Sequence, residues 1–143
     1  MAKVECPIED IECEVFHNWL DELRIPHTHI PNESKGHTKA AIIRGQKLKK
    51  LGVSPGYWDY DIYIPVLDLD GDVGGYELVK IEMKRAKKSL STVSASQKNW
   101  GKIYEMSGIS HFICYGAEQA QAKVEEMYEF INQEKLKPIP IDF

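Results

Sequence analysis

A chain of 143 residues with a formal net charge of −4 is long enough for one domain with its own core, and 1–143 reads as a single unit. Its 43% hydrophobic and 28% charged residues fit a globular protein and exclude a disordered one. No apolar run approaches the roughly twenty residues of a membrane helix, and the acidic balance argues mildly against a nucleic-acid partner.

Near the start, Ile11, Val15, Trp19, Leu20 and Leu23 recur at helical spacing, which predicts a first helix over 8–24, ended by Pro26. Residues 27–30 read as a short extended piece stopped by Pro31. A second, more basic helix is expected over 38–51, with Gly52 terminating it. Two strands follow, 58–66 and 76–84, joined by the turn-rich segment 68–75. Residues 94–107 form a helix that Ser94 or Ser96 caps and Gly108 ends. An apolar strand over 111–115 leads through Gly116 to a last amphipathic helix, before Pro138 and Pro140 keep the tail irregular. The order predicts an α/β fold in which a hairpin and a crossover strand share a mixed sheet with flanking helices.

Several motifs lose their appeal on inspection. Asp68, Asp70 and Asp72 begin like a calcium loop, but Val73 and Val79 stand where that loop needs glycine and glutamate, so a hairpin turn is expected. His27 and His29 share a strand face and suit a metal, yet no third ligand is evident, which leaves ordinary polar histidines as the default. Nucleotide-binding glycine loops and a serine-hydrolase elbow are missing. The three cysteines, Cys6, Cys13 and Cys114, form no C-x-x-C pair and read as reduced, buried thiols. With Glu5, Glu9 and Asp10 where a secretory signal needs a basic start and an apolar block, a cytoplasmic location is expected.

The chemistry-bearing segment is Ile81-Glu82-Met83-Lys84-Arg85, about twenty residues after Trp58-Asp59-Tyr60-Asp61. Side chains alternate along a strand, so Glu82 and Lys84 share one face while Ile81 and Met83 face a core. Asp59 and Asp61 likewise share a face opposite Tyr60, Ile62 and Ile64. If the strands pair, two carboxylates and an ammonium converge. Such a set can hold a divalent ion that polarises a phosphate and lowers the pKa of a water, with the lysine steadying developing charge. An ordinary polar sheet face is the alternative. Neither Glu82 nor Lys84 is expected to carry packing. Lys80, Lys84, Arg85, Lys87, Lys88 and Lys98 crowd around this segment, and Lys47, Lys49 and Lys50 cluster upstream of it, while the acids gather toward the two ends. This distribution weakens the objection that net charge raises against nucleic acid.

Taken in order, Gly52-Val53-Ser54-Pro55-Gly56, Trp58-Asp59, Ile81 to Arg85, Val93-Ser94 and Gln97-Lys98-Asn99-Trp100 resemble the virus-type replication-repair nuclease (VRR-NUC) domain, a branch of the PD-(D/E)XK nuclease superfamily. The resemblance covers about residues 8–132, including Ile30 to Glu33, and Val93 departs from the usual leucine. It implies a restriction-endonuclease-like core. It also implies Asp59 and Glu82 as metal-binding acids, the Met83 carbonyl as a further ligand, Lys84 as the lysine of the transition state, and Gln97 bordering the site. A further acid is expected from the first helix, Glu12 being chosen over Glu9, and Glu33 is another candidate. Tyr60-Asp61 departs from the apolar residues that usually follow the aspartate, so a count from Pro65 would select Asp61 instead.

The activity implied is Mg²⁺- or Mn²⁺-dependent endonucleolytic cleavage of branched DNA, such as a four-way junction in repair or recombination, by a homodimer. Tyr57, Trp58 and Trp100 are candidate interface anchors. A non-cleaving DNA-binding module with the same fold is the competing reading, and it has no need of the acid–acid–lysine set. A restriction-type enzyme needs an extra base-reading domain, for which 143 residues leave little room.

Overall fold

Alternation of apolar and polar side chains through the middle of the chain is realised as an antiparallel hairpin at the centre of a mixed sheet. The structure is a computed structural model, and it describes residues 8–30 and 38–140. In chain order the elements are α1 (Glu9–Glu22), β1 (His27–His29), α2 (Lys39–Lys50), β2 (Tyr60–Leu67), β3 (Val73–Lys84), α3 (Ala95–Met106), β4 (Ser110–Tyr115) and α4 (Ala117–Asn132), with a 3₁₀ turn at Lys88–Leu90. Among the described residues, four strands form one sheet in the order β1-β2-β3-β4. Pairing is antiparallel except for β3 with β4, which are parallel and joined through the α3 crossover.

The hairpin register sets Tyr60 opposite Ile81 and Asp61 opposite Lys80. One face therefore carries Tyr60, Ile62, Ile64, Val79, Ile81 and Met83, all buried. Phe16 and Leu20 of α1 and Ala120, Val124 and Tyr128 of α4 pack on that face and complete the main core. Each such large apolar side chain contributes about 1.5–3 kcal/mol by leaving water. The opposite face carries Lys80, Glu82 and Lys84, and α3 covers it with Gln97 and Tyr104. The result is a three-layer arrangement with a charged seam under α3.

Local chemistry fixes the ends of the elements. Ser94 caps α3 with its hydroxyl, accepting from the Gln97 N–H, while the Gln97 side chain accepts from the Ser94 N–H in a reciprocal box. The segment 68–75 is the expected turn: Asp68 Oδ1 accepts from the N–H groups of Asp70 and Asp72, and Gly71 sits at φ +83°. At the end of α1, Arg24 adopts a left-handed φ of 58°, its N–H donating to Asp21 O, and the Ile25 N–H reaches Leu20 O. This pair of bonds ends the helix sharply, buries Ile25, and sends β1 back alongside the last turns of α1. No helix among the described residues is long and apolar enough to cross a membrane.

Candidate functional site

The site forms where β2 begins and β3 ends. Asp59 stands just before β2 and shares no strand with Asp61. Its carboxylate Oδ2 accepts from the Met83 N–H at 2.9 Å, and its own N–H donates to Glu82 Oε2 at 3.1 Å. The two acids are thus locked together across the hairpin. Asp61 is committed elsewhere, because its carboxylate ion-pairs with Lys80, its register partner. Lys80 also donates to the Tyr57 hydroxyl and lies 4.2 Å from the centre of that ring.

Gln97 ties the acids to the lysine. Its Nε2 donates to Glu82 Oε1 at 2.7 Å and its Oε1 accepts from Lys84 Nζ at 3.0 Å. Lys84 also lies 3.5 Å from Glu82 Oε1. Beneath this network, Trp58 donates its indole N–H to the Gln97 carbonyl at 2.9 Å. Two glycines permit the close packing. A Cβ on Gly56, at φ +77°, would lie 2.6 Å from the Ser96 carbonyl carbon, and one on Gly101 would lie 3.1 Å from the Trp58 ring.

Glu82 and Lys84 are only 3% and 6% exposed, so the expectation that neither carries packing does not hold. The capping box explains this, since it fixes Gln97 on the inner face of α3 and draws that helix down over both. The electrostatic consequence is large. Burial, followed by the charge of Asp59, pushes the Glu82 carboxyl up to about 8. Burial also raises Asp59, opposed by the Met83 N–H and by the charges of His29 and Lys84. A buried carboxyl, Glu82, and a half-buried one, Asp59, are therefore held against each other, and a bound divalent cation would offset the cost of ionising both. Their hard oxygen donors, with a backbone carbonyl nearby, fit Mg²⁺ or Mn²⁺.

The structure treats the other sequence candidates unequally. Glu12 is drawn away from the site: its carboxylate accepts from the Ala117 N–H at the start of α4, where the N-cap Gly116 offers no side chain. Glu9, one turn earlier, adds its charge to Asp59 and lines a cleft of about 420 Å³ beside Lys84 and Arg85. Both acids are half-buried one turn apart on α1, and what distinguishes them is that Glu12 is taken by the Ala117 N–H while Glu9 acts on Asp59. Glu33 lies outside the described residues. Trp58 is buried and so is not an exposed interface anchor, while Tyr57 and Trp100 are half-buried and packed edge-to-face on each other. Lys80, counted by sequence in the basic patch, is buried, but Lys87, Lys88 and Lys98 are exposed. Cys13 and Cys114 are free thiols, half-buried and buried respectively. The part of His29, a neighbour felt by Asp59, had no signal in the sequence beyond its strand face.

Compared with solved structures, the chain is similar to a VRR_NUC domain protein at a TM-score of 0.60 and 18% identity, over 96% of this chain and 98% of that one. The fold is that of a VRR_NUC domain protein. No family model and no curated protein matches the sequence. The VRR_NUC likeness extends over nearly the whole of both chains, so the hairpin, the α3 crossover and α4 all belong to the shared architecture.

Proposed function

We propose that the protein is a divalent-metal-dependent DNA endonuclease that hydrolyses phosphodiester bonds in branched DNA, such as four-way junctions, and works as a homodimer. One observation carries the reading: the pair of the half-buried Asp59 and the buried Glu82, the latter wired through Gln97 to Lys84. A binding module has no use for two acids held against each other at the cost of a Glu82 carboxyl raised to about 8. The VRR_NUC fold supports the nuclease class, and the exposed Lys87, Lys88 and Lys98 near the site give a polyanion its counter-charge.

Asp59, Glu82 and the Met83 carbonyl would hold Mg²⁺ or Mn²⁺. The ion supplies Lewis acidity toward the scissile phosphate and a water of lowered pKa. Lys84 has three donors; one meets Gln97 and one faces Glu82, which leaves one for the attacking water or a phosphate oxygen. Its positive charge opposes the negative charge that grows on phosphorus-bound oxygen as the new P–O bond forms and an ester bond breaks. Gln97 holds Lys84 and Glu82 in mutual register, and Glu9 rather than Glu12 is the acid of α1 that borders the reacting groups.

The test is cleavage of junctions, flaps, single strands and plain duplex in Mg²⁺, Mn²⁺ or EDTA. Cutting is expected only with a divalent ion. Glu82→Gln and Lys84→Ala each lower it about a hundredfold or more, with the circular-dichroism spectrum retained. Cleavage in EDTA, or full activity in both variants, overturns the assignment. Binding without cleavage under every condition supports the non-cleaving module instead.

A further inference from the structure

A second set of ligand-type side chains lies on the other side of β1, at its junction with α1. His17 and Asp21 stand one turn apart on α1, their side chains 51% and 62% exposed and in contact at 3.3 Å. The sharp turn after α1 brings His27, whose side chain is only 6% exposed, back to them. His27 Nε2 lies 2.7 Å from His17 Nδ1 and 3.9 Å from Asp21 Oδ1. One ligand atom from each of the three residues falls within 4.8 Å of the others. Strand alternation alone pairs His27 with His29. The structure pairs it with His17, and supplies the third ligand that the sequence did not reveal.

His27 Nδ1 lies 2.8 Å from the Ile25 carbonyl, which can only accept, so that nitrogen carries the ring's hydrogen. His27 Nε2 therefore offers a lone pair, and it accepts from His17 Nδ1 at 2.7 Å. A metal ion between the two rings can take that lone pair and one from His17, with the Asp21 carboxylate beside them. The Nδ1–H contact to Ile25 is also the kind of bond that fixes a ligand histidine's tautomer and aims Nε2 at a metal.

We propose that His17, Asp21 and His27 form a binding site for one borderline transition-metal ion of the zinc or nickel type, separate from the Asp59–Glu82 pair. Two imidazoles and a carboxylate suit such ions and not Mg²⁺, which demands oxygen ligands. A slight rotation of the exposed His17 ring parts the two nitrogens enough for both to reach one ion at about 2.0–2.1 Å. A cavity of about 550 Å³ adjoins the cluster and carries Asp10, Glu14 and His29 on its walls, giving a cation an acidic approach. Cys13 lines it too, but the ligand atoms that converge are those of His17, Asp21 and His27. The bound ion clips the edge strand β1 to α1.

Isothermal titration of the full chain carrying Asp59→Asn and Glu82→Gln with Zn²⁺ tests this, since the acid pair is then disabled. One Zn²⁺ per chain is expected, with no heat from Mg²⁺. Adding His17→Ala or Asp21→Asn, both at exposed positions, weakens the affinity at least tenfold. Adding His111→Ala, a histidine that contacts the Ile109 carbonyl and Glu105 instead, leaves it unchanged. Lack of stoichiometric Zn²⁺ binding in the doubly substituted chain overturns the proposal. So does affinity unaffected by both His17→Ala and Asp21→Asn, or reduced equally by His111→Ala. None of these results bears on DNA cleavage.

Discussion

At the scale of single residues, the two acids of the hairpin are distinguished by what already occupies them. Asp61 has a full ionic partner in Lys80, whereas Asp59 has a backbone N–H and a neighbouring carboxylate. Mn²⁺ titration is therefore expected to show binding abolished by Asp59→Asn and retained, within a fewfold, by Asp61→Asn. The reverse outcome would move the first metal ligand to Asp61. Glu82 adds a pH signature. Its carboxyl rises from the ordinary 4.5 to about 8 in the ion-free fold, so the folded state favours the protonated acid. That stabilising contribution is full below the unfolded value and disappears as pH rises through about 8. In EDTA, the melting temperature of the native protein should thus fall, relative to Glu82→Gln, between about pH 4.5 and about pH 8. Mg²⁺ or Mn²⁺ should restore it at the alkaline end. Parallel curves for the two proteins would mean that Glu82 titrates normally.

At the scale of elements, α3 is held on the charged face by its own first turn. Ser94 and Gln97 satisfy each other's backbone N–H groups, and the same Gln97 oxygen accepts from Lys84. Ser94→Ala should cost about 1 kcal/mol of stability and lower kcat more than KM, because the glutamine loses its anchor. The Pro55–Gly56 turn presses on the next residues of that helix. Gly56→Ala should cost about 2 kcal/mol or more, from a left-handed alanine and a Cβ forced onto the Ser96 backbone. Urea unfolding of both variants measures these effects, and a Gly56→Ala protein of native stability would refute the close approach. Strand periodicity was enough to place Ile81 and Met83 inward and Glu82 and Lys84 opposite them, and the resemblance to the VRR-NUC domain marked Gln97. Periodicity carries no information about what covers a face. Hence the burial of Lys80, Glu82 and Lys84 under α3 was invisible, as was the diversion of Glu12 to the start of α4. Those depend on contacts between residues far apart in sequence. The meeting of His17 with His27 depends on a left-handed Arg24, a conformation no residue preference for arginine announces.

At the scale of the whole molecule, the distribution of charge and apolar surface bears on the dimer. A net charge of −4 weakens broad duplex binding by one copy at physiological salt, yet Lys87, Lys88 and Lys98 stand exposed beside the site. Pairing two copies doubles the phosphates met by such residues and matches the near two-fold symmetry of a four-way junction. Trp58 is unavailable for such a contact because it is buried, whereas α2 is exposed. That helix buries none of its residues, exposes Ile42 and Ile43, and carries Arg44, Lys47, Lys49 and Lys50 beside them. In the proposed dimer, this apolar pair rimmed by basic residues would meet both a copy of the chain and the DNA. Light scattering at micromolar concentration should give about twice 16.4 kDa. Ile42→Glu with Ile43→Glu should return the mass to one chain and abolish the preference for junctions over duplex. The Asp59–Glu82 pair in each chain should remain able to bind Mn²⁺, because neither substitution reaches it. A native mass of 16.4 kDa with equal cutting of junction and duplex would remove the dimer and its symmetry, while Asp59, Glu82, Gln97 and Lys84 would still carry the cleavage proposal.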